Sequence, residues 1–290
     1  MSEDIIRCGE GVEFKNLSHF SLAECVCSGQ AFRWQPQGSG YFGVALGRAV
    51  YAEQRGSSLY LTGVGKEDMP AFARYFDLER DYGAVKELYA HDRYLRQGMA
   101  YAPGLRVLRQ PPFETLVSFI ISANNNIRRI SRIVDAVCRR FGEPLGGGAY
   151  DFPMPEALAS RTEEELKSCG AGYRARYIIE AARMVANGFD LDAVSRMPFE
   201  EARRALTALP GVGQKVSDCV ALYGMGFIES FPADVWIRRV LCAMYGYRGE
   251  NDRDLRAFVD EHFGACAGIA QQYLFHYARN NPEIFRNGRE

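Results

Sequence analysis

Residues 209–219 read LPGVGQKVSDC, and the fold turns on what this stretch does. Leu209-Pro210-Gly211-Val212-Gly213 falls between two helical patterns, 198–208 and 214–226. Gly211 and Gly213 permit a tight turn whose backbone N–H groups point outward with no Cβ in the way. The second helix begins at once and offers its N-terminal amides and the positive end of its dipole. Such a hairpin can grip a phosphate without reading sequence, although a purely structural helix corner would use the same glycines.

Lys215 complicates the turn. Val212, Val216, Cys219, Val220 and Tyr223 recur at helical spacing and mark a buried stripe. Lys215 flanks that stripe and overlooks Cys219. An ammonium beside an apolar wall loses water, which favours the neutral amine, a nucleophile for an electrophilic carbon such as a sugar C1′. Taken alone, the lysine reads equally as a side chain that snorkels to solvent. Nineteen positions on, SFPADVWIRRVL (230–241) sets Asp234 before an apolar-periodic helix. Asp is a good N-cap, and its second oxygen stays free to stabilise an oxocarbenium-like transition state.

Outward from this centre, the chain is 290 residues long, enough for two or three compact lobes. It is 47% hydrophobic and 12% aromatic, which excludes global disorder. The net charge of −1 neither requires nor forbids a local basic face. Residues 1–20 hold no signal-peptide core, and the longest apolar run, LVSFIISA (116–123), is too short to span a bilayer. The expectation is a soluble intracellular monomer with no membrane association, in the cytoplasm or nucleoid of a prokaryote or the nucleus of a eukaryote. The eight cysteines are scattered, with Cys25 and Cys27 the one close pair, and the four histidines form no ligand set. Reduced thiols are expected, with no metal and no cofactor.

Residues 30–64 alternate in short runs, YFGVAL, AVYAEQ and SLYLTGV, punctuated by turn residues. From about residue 70 the texture turns helical, with candidate helices at 84–90, 112–123, 126–141, 155–168, 174–187, 198–208, 214–226, 235–245, 252–263 and 267–279. The fold class is α+β, mostly α: an N-terminal antiparallel β-rich lobe over 1–95, then a two-lobed helical core over 96–290 with its helix–hairpin–helix at about 198–226. Between Gly104 and Leu145 stand seven arginines, at 106, 109, 128, 129, 132, 139 and 140, against three acids. Such a run is a solvated face or a set of phosphate contacts.

LPGVGQK with a P-x-D nineteen residues beyond its lysine resembles the helix–hairpin–helix DNA glycosylases with a Gly/Pro-rich loop and an essential Asp. SGQAFRW (28–34), ISANNNIRRI (121–130), GAGYRARYI (170–178) and AQQYLF (270–275) sharpen the resemblance to the 8-oxoguanine DNA glycosylase family, in matching order from about residue 10 to 285. The resemblance implies that Lys215 attacks C1′ and forms a Schiff base, with Asp234 as the catalytic carboxylate. It implies that the Gly29 carbonyl accepts from N7–H of the oxidised base, which ordinary guanine lacks. Gln271 then reads the Watson–Crick edge, while Phe275 and Cys219 hold the two faces of the base. The residue matching Asn124 fills the hole left in the duplex, Tyr173 wedges it, and Arg129 and Arg174 donate to the orphaned cytosine.

Trp236 and Ala278 depart from the family pattern, where a His and an Asp pair near a phosphate. The implied activity is that of a bifunctional glycosylase and abasic-site lyase acting on double-stranded DNA that contains 8-oxoguanine opposite cytosine. The oxidised-pyrimidine and adenine-mismatch branches are disfavoured, because they carry a C-terminal four-cysteine cluster and only Cys266 follows residue 242. The rival of a different class is a non-catalytic binder of damaged or bent DNA, which needs the hairpin but has no use for Lys215 with Asp234.

Overall fold

The computed structural model describes residues 11–285; the first ten and last five residues, which belong to the expected 1–95 and 96–290 units, lie outside it. Five strands form one antiparallel sheet: β1 (Gly11–Phe14), β2 (Trp34–Gln37), β3 (Gly40–Ala45), β4 (Arg48–Arg55) and β5 (Ser58–Thr62), in the order β1-β5-β4-β3-β2. The three runs read as strands become β3, β4 and β5, joined by two-residue turns. Alternation decides their faces: Val50, Ala52, Leu59 and Leu61 point inward. Helices α1 (Leu22–Cys27) and α2 (Met69–Tyr75) lie against that face. Trp34 Nε1–H donates to Tyr75 Oη at 2.8 Å across this small core.

The remaining helices form the larger core. They are α3 (Tyr82–Leu88), α4 (Arg93–Tyr101), α5 (Pro112–Ser122), α6 (Ile127–Phe141), α7 (Pro155–Ala159), α8 (Glu163–Ser168), α9 (Arg174–Ala186) and α10 (Leu191–Ser195). Then follow α11 (Phe199–Thr207), α12 (Gln214–Val220), α13 (Val235–Tyr245), α14 (Asp252–His262) and α15 (Ala267–Asn280). A two-stranded ribbon, β6 (Pro144–Gly146) with β7 (Ala149–Tyr150), follows α6. The apolar run 116–123 lies in α5, whose residues Thr115–Ile121 are all buried. It is a central core helix, and among the described residues no helix is long and apolar enough to cross a membrane.

Three expectations change. The helix expected at 155–168 is two helices, because Thr162 starts α8 with a capping box to Glu165. The helix expected at 214–226 is α-helical only to Val220; Ala221–Met225 widen into a π turn that ends at Gly226. The arginine run is also divided. Arg106 is buried and donates to the carbonyls of Ser18, His19, Asp77 and Arg80, so it pins loops together inside the protein. Arg109 pairs with Asp77 at 2.9 Å, and Arg139 with Asp135 at 2.8 Å.

The sheet lobe joins the helical part through Gln30. Its Nε2 donates to the Cys25 and Arg106 carbonyls, and its Oε1 accepts from Leu108 N–H. Gln110 Nε2 donates to the Gln30 carbonyl at 2.7 Å. These buried bonds fix the loop that carries Gly29.

Candidate active site

The hairpin forms where expected, between α11 and α12. Gly211 has φ +77, and a Cβ there would stand 2.6 Å from Cβ of Tyr177 on α9, so only glycine fits. Gly213 precedes α12 in extended backbone, exposed, with nothing near its absent side chain. The stripe Val212, Val216, Cys219, Val220 and Tyr223 is buried as expected.

Lys215 reaches inward along that stripe. Its Nζ donates to Ser122 Oγ at 2.9 Å and lies 4.9 Å from the Phe119 ring centre. Phe119 in turn stacks on Tyr223, with ring centres 5.3 Å apart and planes 14° off parallel. Asp234 caps α13, its Oδ1 accepting from Ile237 N–H at 2.9 Å. One carboxylate oxygen is thereby fixed, and Oδ2 takes no hydrogen bond among the described residues.

These groups face a cavity of about 110 Å³. Its walls hold Lys215, Cys219, Asp234, Gly29, Gln271 and Phe275, all six of the residues expected at the reacting base and sugar. Burial pushes the Cys219 thiol up to about 12, a rise that Lys215 only partly opposes, so the wall there is a neutral thiol. Gly29 has φ +86, and a Cβ on it would lie 2.6 Å from Ile127 Cδ1 and 3.2 Å from Phe275 Cε1. The backbone therefore comes as close to the cavity as geometry allows. Gln271 and Phe275 stand one turn apart on α15.

The sequence reading missed the groups that hold this set in place. Ser122 sits just before the quoted asparagines, and its hydroxyl donates to the Phe119 carbonyl at 2.7 Å. Tyr223 appeared only as a member of the apolar stripe. Its hydroxyl donates to Gln272 Oε1 at 2.7 Å and lies 3.3 Å from Gln271 Oε1. Gln272 Nε2 donates onward to the Ser28 carbonyl at 3.3 Å, which ties α15 to the Gly29 loop. Only the i,i+3 spacing of Phe119 and Ser122 could have hinted at the lysine's partner.

The residues expected to face the duplex form a separate group at the rim. Asn124 is exposed with φ +48, while Asn125 lines the cavity and Asn126 caps α6 through Arg129 N–H. Tyr173 is 57% exposed. Arg174 is buried beneath it, and its guanidinium donates to the carbonyls of Ala171, Ala123 and Asn124, so it holds the asparagine loop from below. Arg129 is exposed on the first turn of α6. Trp236 packs edge-on against Phe285, ring centres 4.8 Å apart, and Ala278 is fully buried.

A larger cavity, about 540 Å³, opens between Phe113, Phe152 and Phe189. Its lining is mainly apolar, prolyl and acidic and includes neither lysine nor cysteine.

Residues 14–116 match the family model described as 8-oxoguanine DNA glycosylase, N-terminal domain. Residues 117–263 match the HhH-GPD superfamily base excision DNA repair protein. The chain belongs to the 8-oxoguanine DNA glycosylase family. A relative from Methanothermobacter thermautotrophicus named "Probable N-glycosylase/DNA lyase" is 35% identical over 73% of this chain and 75% of its own. An N-glycosylase/DNA lyase of Arabidopsis thaliana is 31% identical over 86% of this chain and 74% of its own. The solved Clostridium acetobutylicum 8-oxoguanine glycosylase/lyase, in complex with double-stranded DNA containing cytosine opposite 8-oxoguanine, superposes with a TM-score of 0.90 at 34% identity. That match covers 94% of this chain and 96% of the other. Within this 8-oxoguanine DNA glycosylase family member, the border of the two matches falls inside α5. The helix that supplies Phe119 and Ser122 to the lysine is thus also the seam between the two family units.

Proposed function

We propose that the protein is a bifunctional DNA glycosylase and abasic-site lyase that excises 8-oxoguanine opposite cytosine. One observation carries the reading. Lys215, Asp234, Cys219, Gly29, Gln271 and Phe275, from four separate stretches of chain, line a single cavity.

The chemistry follows from the groups present. The Lys215 nitrogen attacks C1′ as the glycosidic bond breaks and its electrons leave with the base. The free Asp234 oxygen faces the positive charge that develops on the sugar. Loss of a proton from the new ammonium and opening of the sugar ring give a Schiff base. Removal of a C2′ proton then expels the 3′ phosphate by β-elimination.

The Gly29 carbonyl accepts from N7–H of 8-oxoguanine. Guanine places a lone pair there instead, and an unpaired buried acceptor costs on the order of 1–3 kcal/mol. Phe275 and Cys219 cover the two faces of the base. The hairpin amides after Gly211 take the backbone phosphate, and Asn124, Tyr173 and Arg129 attend to the opened duplex and its unpaired cytosine. Arg174, its donors engaged by the Ala123 and Asn124 carbonyls, braces the asparagine loop from below instead of reaching the cytosine itself.

The decisive experiment is borohydride trapping on a duplex with 8-oxoguanine opposite cytosine. The native protein is expected to yield a covalent adduct and Lys215→Gln none. A native protein that gives no adduct refutes the enzyme reading and leaves the non-catalytic binder. An undiminished adduct with Lys215→Gln refutes the nucleophile.

A further inference from the structure

Two arginines stand next to residues of the cavity wall, Arg279 beyond Phe275 and Arg128 after Ile127. Arg279 lies on α15 one turn beyond Phe275, on the same face. Its Nη1 would be 3.2 Å from a Cβ on Gly29, level with the Phe275 ring edge and Ile127 Cδ1 that approach the same point. Arg128 follows Ile127 on the first turn of α6. Neither guanidinium makes an ion pair among the described residues. By contrast Arg139, farther along α6, is paired with Asp135.

The two positive groups are also close enough to disturb each other. Partial burial, then the charge of Arg128, hold the Arg279 guanidinium below its ordinary range, and Cys27 opposes this slightly. Among the groups facing Arg279 from α6 and the Gly29 loop, none is a carboxylate. Like charges held together on separate elements, with no acid between them, are stabilised by an anion that both can reach. Guanidinium forks match phosphate oxygens in pairs.

We propose that Arg279 and Arg128 form a two-pronged clamp for a phosphodiester of the extruded nucleotide, at the mouth of the cavity. The inference rests on the glycosylase reading above. It adds a backbone contact beside the Gly29 loop to that of the hairpin, while the base lies between Phe275 and Cys219. The clamp joins α15 to α6 only when the nucleotide is present, and so favours the extruded geometry over the stacked one.

The test is fluorescence anisotropy on a duplex carrying a tetrahydrofuran abasic analogue opposite cytosine, from 50 to 200 mM salt, with native protein, Arg279→Gln, Arg128→Gln and Arg279→Lys. Each lost phosphate contact flattens the log–log salt slope by about 0.9, or about 3.5-fold over that range. Both Gln variants are expected to bind more weakly with slopes flattened by about that amount, and Arg279→Lys to keep most of the slope. A methylphosphonate placed singly at each phosphate flanking the analogue should, at one position, weaken native binding clearly more than it weakens Arg279→Gln or Arg128→Gln. Unaltered slopes, or a methylphosphonate penalty equal in native and variant at every position, overturn the clamp. Adduct formation by the native protein is measured in parallel. Trapping with unaltered slopes defeats the clamp alone, and absence of trapping defeats the glycosylase reading.

Discussion

Lys215 Nζ donates to Ser122 Oγ, and the Ser122 proton is already committed to the Phe119 carbonyl. The serine can therefore only accept from the lysine. Its oxygen orients the lysine nitrogen by one N–H. Ser122→Ala is expected to slow single-turnover adduct formation about tenfold, a barrier rise of ~1.4 kcal/mol, with little change in DNA affinity. Ser122→Thr, which keeps the hydroxyl, should recover most of the rate. Equal loss in both variants would show that packing, and not the hydroxyl, matters at this position.

Asp234 separates capping from charge. Asn caps a helix about as well as Asp, so Asp234→Asn should keep the melting temperature within about 2 °C while single-turnover excision falls at least 100-fold. Asp234→Ala loses the cap as well and should melt lower by the equivalent of about 1 kcal/mol. Calorimetry beside single-turnover kinetics reads both quantities.

Gly29→Ala meets two obstacles, the left-handed backbone at φ +86 and the Ile127 methyl at 2.6 Å. The backbone penalty is roughly 1–2 kcal/mol, visible in urea titration. The added methyl also narrows the base wall, so excision should fall much further than stability. Adding Ile127→Ala to Gly29→Ala relieves the clash and not the backbone strain. It is expected to restore part of the excision rate and none of the strain energy.

Tyr223→Phe removes the hydroxyl that ties Gln272 and approaches Gln271. Freed from that tie, the amide wall samples more orientations. The ratio of excision rates for 8-oxoguanine over guanine should drop several-fold, in keeping with about 1 kcal/mol for one buried bond. Competition between the two substrates in one reaction measures the ratio directly.

Burial pushes the thiols of Cys25, Cys138 and Cys219 up to about 12 from an ordinary 9.0. In the folded protein they stay protonated where the unfolded chain would ionise. Stability is therefore complete below pH 9 and declines as the pH climbs from 9 towards 12. At pH 8, iodoacetamide should label exposed Cys27 and Cys242 and spare these three. Peptide mass mapping before and after unfolding provides the check.

The residues proposed to react were legible in the sequence because each belongs to a local pattern. Lys215 and Cys219 lie on a helix whose apolar stripe is visible at helical spacing, and Asp234 stands at a cap. The strands at 41–62 show themselves by alternation. What stayed hidden is long-range. Arg106 looks like a surface cation, but a cage of carbonyls from residues 18–19 and 77–80, at positions no spacing rule connects, draws it inside. The hydroxyls of Ser122 and Tyr223 matter through partners 93 and 49 residues away. The break at Ser160–Thr162 was hidden differently, since helical periodicity runs through it and only the Thr162–Glu165 capping box marks the restart.

The split origin of the cavity also sets an order in time. During synthesis, the Gly29 loop, the hairpin and Lys215 are all polymerised before Gln271, which follows Lys215 by 56 positions. At 5–20 residues per second, that interval is roughly 3–11 s. For those seconds the nascent protein holds Lys215 without Gln271 and Phe275, two walls of the cavity. Tyr223 and the Ser28 carbonyl wait with unmet hydrogen bonds until α15 arrives to close them. The arrival of one late helix therefore completes the fold and closes the cavity in a single step.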